Sequence, residues 1–167
     1  MIDILQDCCD VLNEAGFSTR CTEIPADDGE RSFDTIAFED ATVLGFIVAY
    51  DDPEDLIATW PVDRDRIAMR YRDALHAARQ KAWNAYLVLV SRTAADFAQA
   101  LALGQIEEDL EAMRKITKAG VADRGSARMA LLPLLPFRAA PSLDPIEMPA
   151  EIQSRTSELD DKIVAAF

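Results

Sequence analysis

The chain opens with apolar residues at helical spacing, Ile2, Leu5, Cys9 and Leu12, and Gly16 follows them. Residues 2–15 are therefore expected to form a helix closed by a glycine. The period then changes to two. Residues 17–24 read as a short strand, and residues 25–29 (PADDG) as a turn. Residues 31–38 alternate, with Phe33, Thr35 and Ala37 on one side and Ile36 and Phe38 on the other. Residues 42–50 (TVLGFIVAY) are almost wholly apolar, β-branched or aromatic, the pattern of a central strand covered on both faces. The three strands read as an antiparallel meander following a helix.

Asp51-Asp52-Pro53 ends the sheet, and residues 54–59 are expected to make one helical turn. Proline disfavours helix in the residue before it, so Trp60-Pro61 reads as an extended junction. Asp63 is then the expected N-cap of a helix over residues 64–82, with Ile67, Tyr71, Ala74, Leu75, Ala78 and Ala82 on its apolar face. Residues 85–91 (AYLVLVS) read as a fourth buried strand, and a crossover by the preceding helix would make it parallel to the third. Three further helices are expected, at residues 94–103, 106–119 and 124–132. In the second of these Ile106, Leu110, Met113 and Ile116 share a face and Gly120 follows. Pro133, Pro136, Pro141, Pro145 and Pro149 exclude regular helix or central strand. Ile152, Leu159, Ile163 and Val164 then mark a last helix over residues 151–167. The expected fold is α+β: a small mixed four-stranded sheet flanked by helices, with a helical, proline-rich C-terminal part. Its divisions are a core at residues 1–128, an extended segment at 129–150 and a C-terminal helix at 151–167.

Charge changes the picture. Residues 1–63 hold sixteen acidic and two basic side chains, a net of −14; residues 64–128 have a net of +4 and residues 129–167 a net of −3. An overall charge of −13 repels nucleic-acid phosphates and anionic membranes, so a basic partner surface fits better. Arg64, Arg66, Arg70, Arg72, Arg79 and Lys81 form the one basic stretch. It is either a phosphate-binding helix or the internal counter-charge of the acidic first third, and the second reading is preferred. Cys8, Cys9 and Cys21 fit no zinc spacing and read as buried free thiols. No basic region precedes an apolar run at the N-terminus, and no apolar run approaches the ~20 residues that span a bilayer. A cytoplasmic location is the expectation.

Catalytic chemistry finds little to stand on. His76 is the single histidine and falls inside a predicted helix, without a nucleophile elbow. Acidic residues cluster at turns, among them Asp27, Asp28, Glu30, Asp40, Asp51, Asp52, Glu54 and Asp55, but Asp51–Asp55 lacks the glycine of a calcium loop. They read as a solvated rim that docks a basic partner. Neither a GxxxxGK[ST] loop nor a GxGxxG is present, so no nucleotide cofactor and no metal is expected. The order helix, three strands, helix, strand is also that of the PD-(D/E)xK nucleases. Those enzymes need an acid near the end of the second strand and acid-x-Lys on the third. Asp40 could supply the first acid, but residues 43–50 supply neither acid nor lysine. A degenerate, non-catalytic, restriction-endonuclease-like core stays open.

Four stretches carry a resemblance: residues 60–66 (WPVDRDR), 81–91 (KAWNAYLVLVS), 106–116 (IEEDLEAMRKI) and 131–137 (LLPLLPF). Together they resemble the small middle component of bacterial ABC three-component defence systems, the group that includes Lamassu. The resemblance implies a non-enzymatic subunit that links or regulates an SMC-like ATPase and its effector, often a nuclease, with only indirect contact to nucleic acid. It transfers no active-site residue. The expected partner-facing residues, read from charge, aromatic character and amphipathicity, are Trp60, Asp51, Asp52, Arg66, Arg70, Phe137, Leu159 and Ile163. Two other readings stand beside this one: a nucleic-acid-binding module built on the basic stretch, and a metal-dependent hydrolase using Asp40, Asp51 and Asp52.

Overall fold

A computed structural model describes residues 2–26 and 31–136. Helix α1 (Ile2–Ala15) closes on Gly16, which holds φ +97° while the amides of Gly16 and Phe17 donate to the carbonyls of Asn13 and Leu12. Strands β1 (Ser18–Ile24), β2 (Phe33–Glu39) and β3 (Leu44–Tyr50) follow as an antiparallel meander. Asp40 shapes the β2–β3 turn, its carboxylate accepting the amides of Thr42 and Val43 at 2.7 Å each. Helix α2 (Pro53–Arg70), α3 (Arg72–Ala77) and a 3-10 helix (Arg79–Asn84) lead to β4 (Ala85–Ser91), parallel to β3. Helix α4 (Phe97–Glu108) leads to β5 (Arg114–Lys118), parallel to β4, and α5 (Arg124–Leu131) follows.

The sheet has five strands in the order β1-β2-β3-β4-β5, not four. Residues 106–119, expected as one helix, divide between the end of α4, a bend at residues 109–113 and β5. Apolar residues three and four apart fit both periods over so short a run, and pairing with β4 decides for the strand. Ala112, exposed in that bend, sits at φ +61°, a left-handed conformation that β-carbon sterics penalise. Ala112→Gly is expected to raise stability by about 0.5 kcal/mol, the strain relieved exceeding glycine's extra unfolded freedom; chemical denaturation checks it.

The basic stretch also folds differently from expectation. Helix α2 begins at Pro53, with Asp52 as N-cap accepting the Asp55 amide at 2.8 Å, and runs through Trp60-Pro61 without an extended junction. Pro61 is tolerated inside it because fully buried Leu56 and Ile67 anchor the helix to the sheet on either side, and tertiary packing outweighs local preference. Asp63 is therefore an interior helical residue and not a cap. The helix expected to reach residue 82 breaks at Tyr71 and continues as α3 and the 3-10 helix. The helix expected over residues 94–103 begins at Phe97, behind the capping box of Asp96 and Gln99.

Both faces of the sheet are covered. On one, Ile36, Phe38, Ile47 and Val88 pack with α1 and α5; on the other, Phe46, Val48, Leu87 and Leu89 pack with α2 and α4. Covering on both sides explains why β3 and β4 are continuously apolar. Leu131 and Leu134 belong to the first face, so the core continues past residue 128, and the compact unit ends at Leu135. The proline-rich segment from residue 137 and the helix expected at 151–167 lie outside the described residues. Among the described residues no helix is long and apolar enough to cross a membrane.

Candidate functional site

Helix α2 carries two adjacent charges into the protein, Asp63 at 2 % exposure and Arg64 at 7 %. Each organises a network on a different flank. The Tyr50 hydroxyl donates to Asp63 Oδ2 at 2.9 Å. Arg31 reaches the same oxygen at 3.5 Å, pairs with Asp55 at 3.0 Å and lies 5.3 Å from the centre of the Tyr50 ring. Arg66 lies 3.8 Å from Asp63, stacks on Phe33 at 5.0 Å, and donates to the carbonyls of Arg31 (2.8 Å) and Pro25. Burial raises the Asp63 carboxyl above the ordinary carboxylate range, against the opposing pull of Tyr50, Arg31 and Arg66. Burial also pushes the Tyr50 phenol well above its ordinary value, and the Asp63 charge adds to the shift.

On the other flank Arg64 bonds Asp65 at 2.8 Å and Glu111 at 3.0 Å, and lies 3.4 Å from Asp109. Lys115, its side chain fully buried, donates to Asp109 at 2.8 Å and to the Glu111 carbonyl at 2.6 Å. The Lys115 hydrogen bond, joined by the Glu111 amide, holds Asp109 below the usual carboxylate range. The Trp60 indole is half-buried between these cations, 5.4 Å from Arg64 and 5.5 Å from Lys115. Trp60 and Arg66 are thus built into the fold. Asp51, Asp52 and Arg70 are exposed, Asp52 with its carboxylate engaged at the α2 cap. Phe137, Leu159 and Ile163 lie outside the described residues, as do Asp27, Asp28 and Glu30. Of the basic stretch, Lys81 pairs with Glu39 at 2.6 Å and Arg66 lies 3.8 Å from Asp63, both acids of the first third, while Arg64 takes its carboxylates from residues 65, 109 and 111.

Asp40 and His76 show no catalytic setting. Slight burial raises the Asp40 carboxyl, but the Thr42 and Val43 amides more than offset this and leave it lowered. His76 is exposed on α3. Cys8 and Cys9 are buried and Cys21 is exposed; burial, reinforced by Asp7 and Cys9, pushes the Cys8 thiol to about 12. Among the described residues no three His, Cys, Asp or Glu side chains are grouped to hold a metal ion.

The surface offers a feature that sequence reasoning missed. Trp83 is 84 % exposed in the 3-10 helix. A cavity of about 300 Å³ lies between α3 and the sheet, with Leu44, Phe46, Tyr71 and Leu75 as its apolar walls and Arg20 and Glu39 on its polar side; Trp83 is not among its lining residues. Trp83 stands at the same end of the sheet: Asn84 donates to the Thr42 carbonyl at 3.5 Å and Ala85 is in register with Leu44. Comparison with protein-family models, with curated proteins and with solved structures gives no match to this chain.

Proposed function

We propose that this protein is a non-enzymatic accessory subunit of a multi-component bacterial antiviral complex, docking an SMC-like ABC ATPase and its effector. One observation carries the docking reading: Trp83 is left exposed, at an end of the sheet whose Leu44 also lines a largely apolar cavity, on a domain whose buried charges are already paired internally. Tryptophan is enriched among the residues that carry binding energy at protein interfaces, and an indole left in water on a folded domain fits that role. Exposed Asp51 and Asp52 offer negative charge to a basic partner. The identity of the partners rests on the resemblance at residues 60–66, 81–91, 106–116 and 131–137.

The test is purification from the native operon with one affinity tag on this chain. A large ATPase and an effector are expected to co-elute in fixed ratio, and Trp83→Asp is expected to weaken that capture at least tenfold without lowering the denaturation midpoint. Elution without an ATPase would end the reading.

The second reading, a degenerate restriction-endonuclease-like core, is favoured by the order helix, three-stranded meander, helix and parallel strand. Strand β3 carries no acid and no lysine, and Asp40 is engaged by turn amides, so this reading too is non-catalytic. The nucleic-acid reading is weakened because Arg64 and Arg66 point into internal networks, while among the described side chains of that stretch Arg70 and Arg72 are the exposed arginines.

A further inference from the structure

The cavity between α3 and the sheet is a gap in the packing. Protein interiors seldom hold voids larger than a water molecule. This one measures about 300 Å³, and Ala37, Ala74 and Ala78 line it where longer side chains would close it. Its larger walls are only partly spent on the core: Leu44, Tyr71 and Leu75 are half-buried, packed against the cluster that holds Phe46. The Phe46 and Tyr71 rings lie 4.6 Å apart, and Tyr71 is also where α2 ends and the chain turns into α3. The helix break and the three alanines leave an apolar space that the described part of the chain does not fill.

One charge at this cavity has no counter-ion. Arg20 lines it from β1, the edge strand of the sheet, in register with Ala37, whose short side chain leaves room beside it. Among the described residues Arg20 makes no ion pair and no hydrogen bond through its side chain. Glu39, on the same side, is already held by Lys81 at 2.6 Å. Ser18 shares the strand face with Arg20, two residues away, and adds a hydroxyl to the lining. A guanidinium and a hydroxyl beside apolar walls are a donor set for a carboxylate, which takes two parallel hydrogen bonds from arginine. A second negative charge on the ligand would be repelled, because Glu39 is adjacent and the whole chain carries −13. The anion that suits the site is therefore singly charged.

We propose that this cavity is a binding site for a small amphipathic carboxylic acid, taken as its anion. The apolar body lies between Leu44, Phe46, Tyr71 and Leu75, and the carboxylate meets the Arg20 guanidinium at the exposed edge, with Ser18 beside it. An apolar pocket of this size with a few convergent polar groups is the usual form of a small-molecule site. The volume is that of about ten water molecules, room for about ten non-hydrogen atoms, as in an eight-carbon acid. A ligand of that size is expected to bind with a Kd of about 0.1–1 mM. Trp83 is not among the lining residues, so the site does not rest on the ATPase reading.

Amide NMR of the full chain, titrated with octanoate and separately with octanol from about 0.05 to 3 mM, reads the outcome. The two probes share the apolar body and differ in the carboxylate. Octanoate is expected to give saturable shifts at Arg20, Gly45 and Leu75, all in the cavity lining. Octanol is expected to bind at least tenfold more weakly, having no charge to offer Arg20. Arg20→Gln is expected to bring octanoate down to the level of octanol; Arg20 is exposed, so the denaturation midpoint should stay in place. Octanoate that gives no saturable shift by about 3 mM overturns the proposal. So does octanol that binds as tightly as octanoate, or an Arg20→Gln chain that keeps the preference for the acid.

Discussion

Gly45→Ala is expected to lower stability by about 3 kcal/mol, a large share of what a domain this size possesses. Gly45 lies on β3 opposite Phe38 of β2. A β-carbon there would fall 2.4 Å from the tip of the Phe38 ring and 2.6 Å from the carbonyl oxygen of Tyr86. Phe38 cannot swing away freely, because its ring is buried edge-on against Phe17 with centroids 5.6 Å apart. The carbonyl belongs to β4 and cannot move without disturbing the parallel β3–β4 pairing. Urea unfolding monitored by tryptophan fluorescence measures the loss, and a midpoint within error of the parent would refute the argument.

Asp63→Ala is expected to have an effect of similar size, about 3 kcal/mol, for a different reason. It strips the buried Tyr50 hydroxyl of its acceptor and takes the carboxylate from between Arg31 and Arg66. Tyr50→Phe should cost only about 1 kcal/mol, and the two together less than their sum. The pH dependence has a definite sign. Burial raises the folded carboxyl, so its contribution is fully present below the ordinary value of about 4 and declines as pH rises through the folded value. Asp109 behaves oppositely: its lowered carboxyl stabilises above the ordinary value, and that contribution is lost on acidification. The difference in unfolding free energy between wild type and Asp63→Asn should therefore shift against wild type as pH rises from 4 to 6. A difference that stays flat, or moves the other way, would remove the assigned direction.

The meander and the parallel fourth strand were legible because period-two alternation and an unbroken apolar run are signatures of half-covered and fully covered strands. Strand β5 was not. Ile106, Leu110, Met113 and Ile116 satisfy helical spacing, yet Met113 and Lys115 alternate with solvent-facing Arg114, and Ile116-Thr117 is β-branched. The start of α2 was written as Asp52-Pro53, a cap followed by proline in the first turn, but the later Pro61 suggested a break there. The inward turn of Asp63 and Arg64 could not be read locally. Nothing near them marks two adjacent opposite charges as buried; their partners are Tyr50 and Arg31 on one flank and Asp109 and Glu111 on the other, brought within reach by topology. The exposure of Trp83 and Phe97 was equally hidden, since side-chain type does not report whether a neighbouring element arrives to cover it.

The pairing of α1 with α5 has a consequence for synthesis. The first helix of the unit lies on the same side of the sheet as the last, and Arg124 on α5 is paired with Glu14 on α1. That side cannot be sealed until residues 124–134 have left the ribosome. Until then Ile36, Ile47 and Val88 have only α1 to shield them. That face of the sheet is therefore only partly covered while residues 17–123 are being made, and the final eleven residues of the core act as its closure.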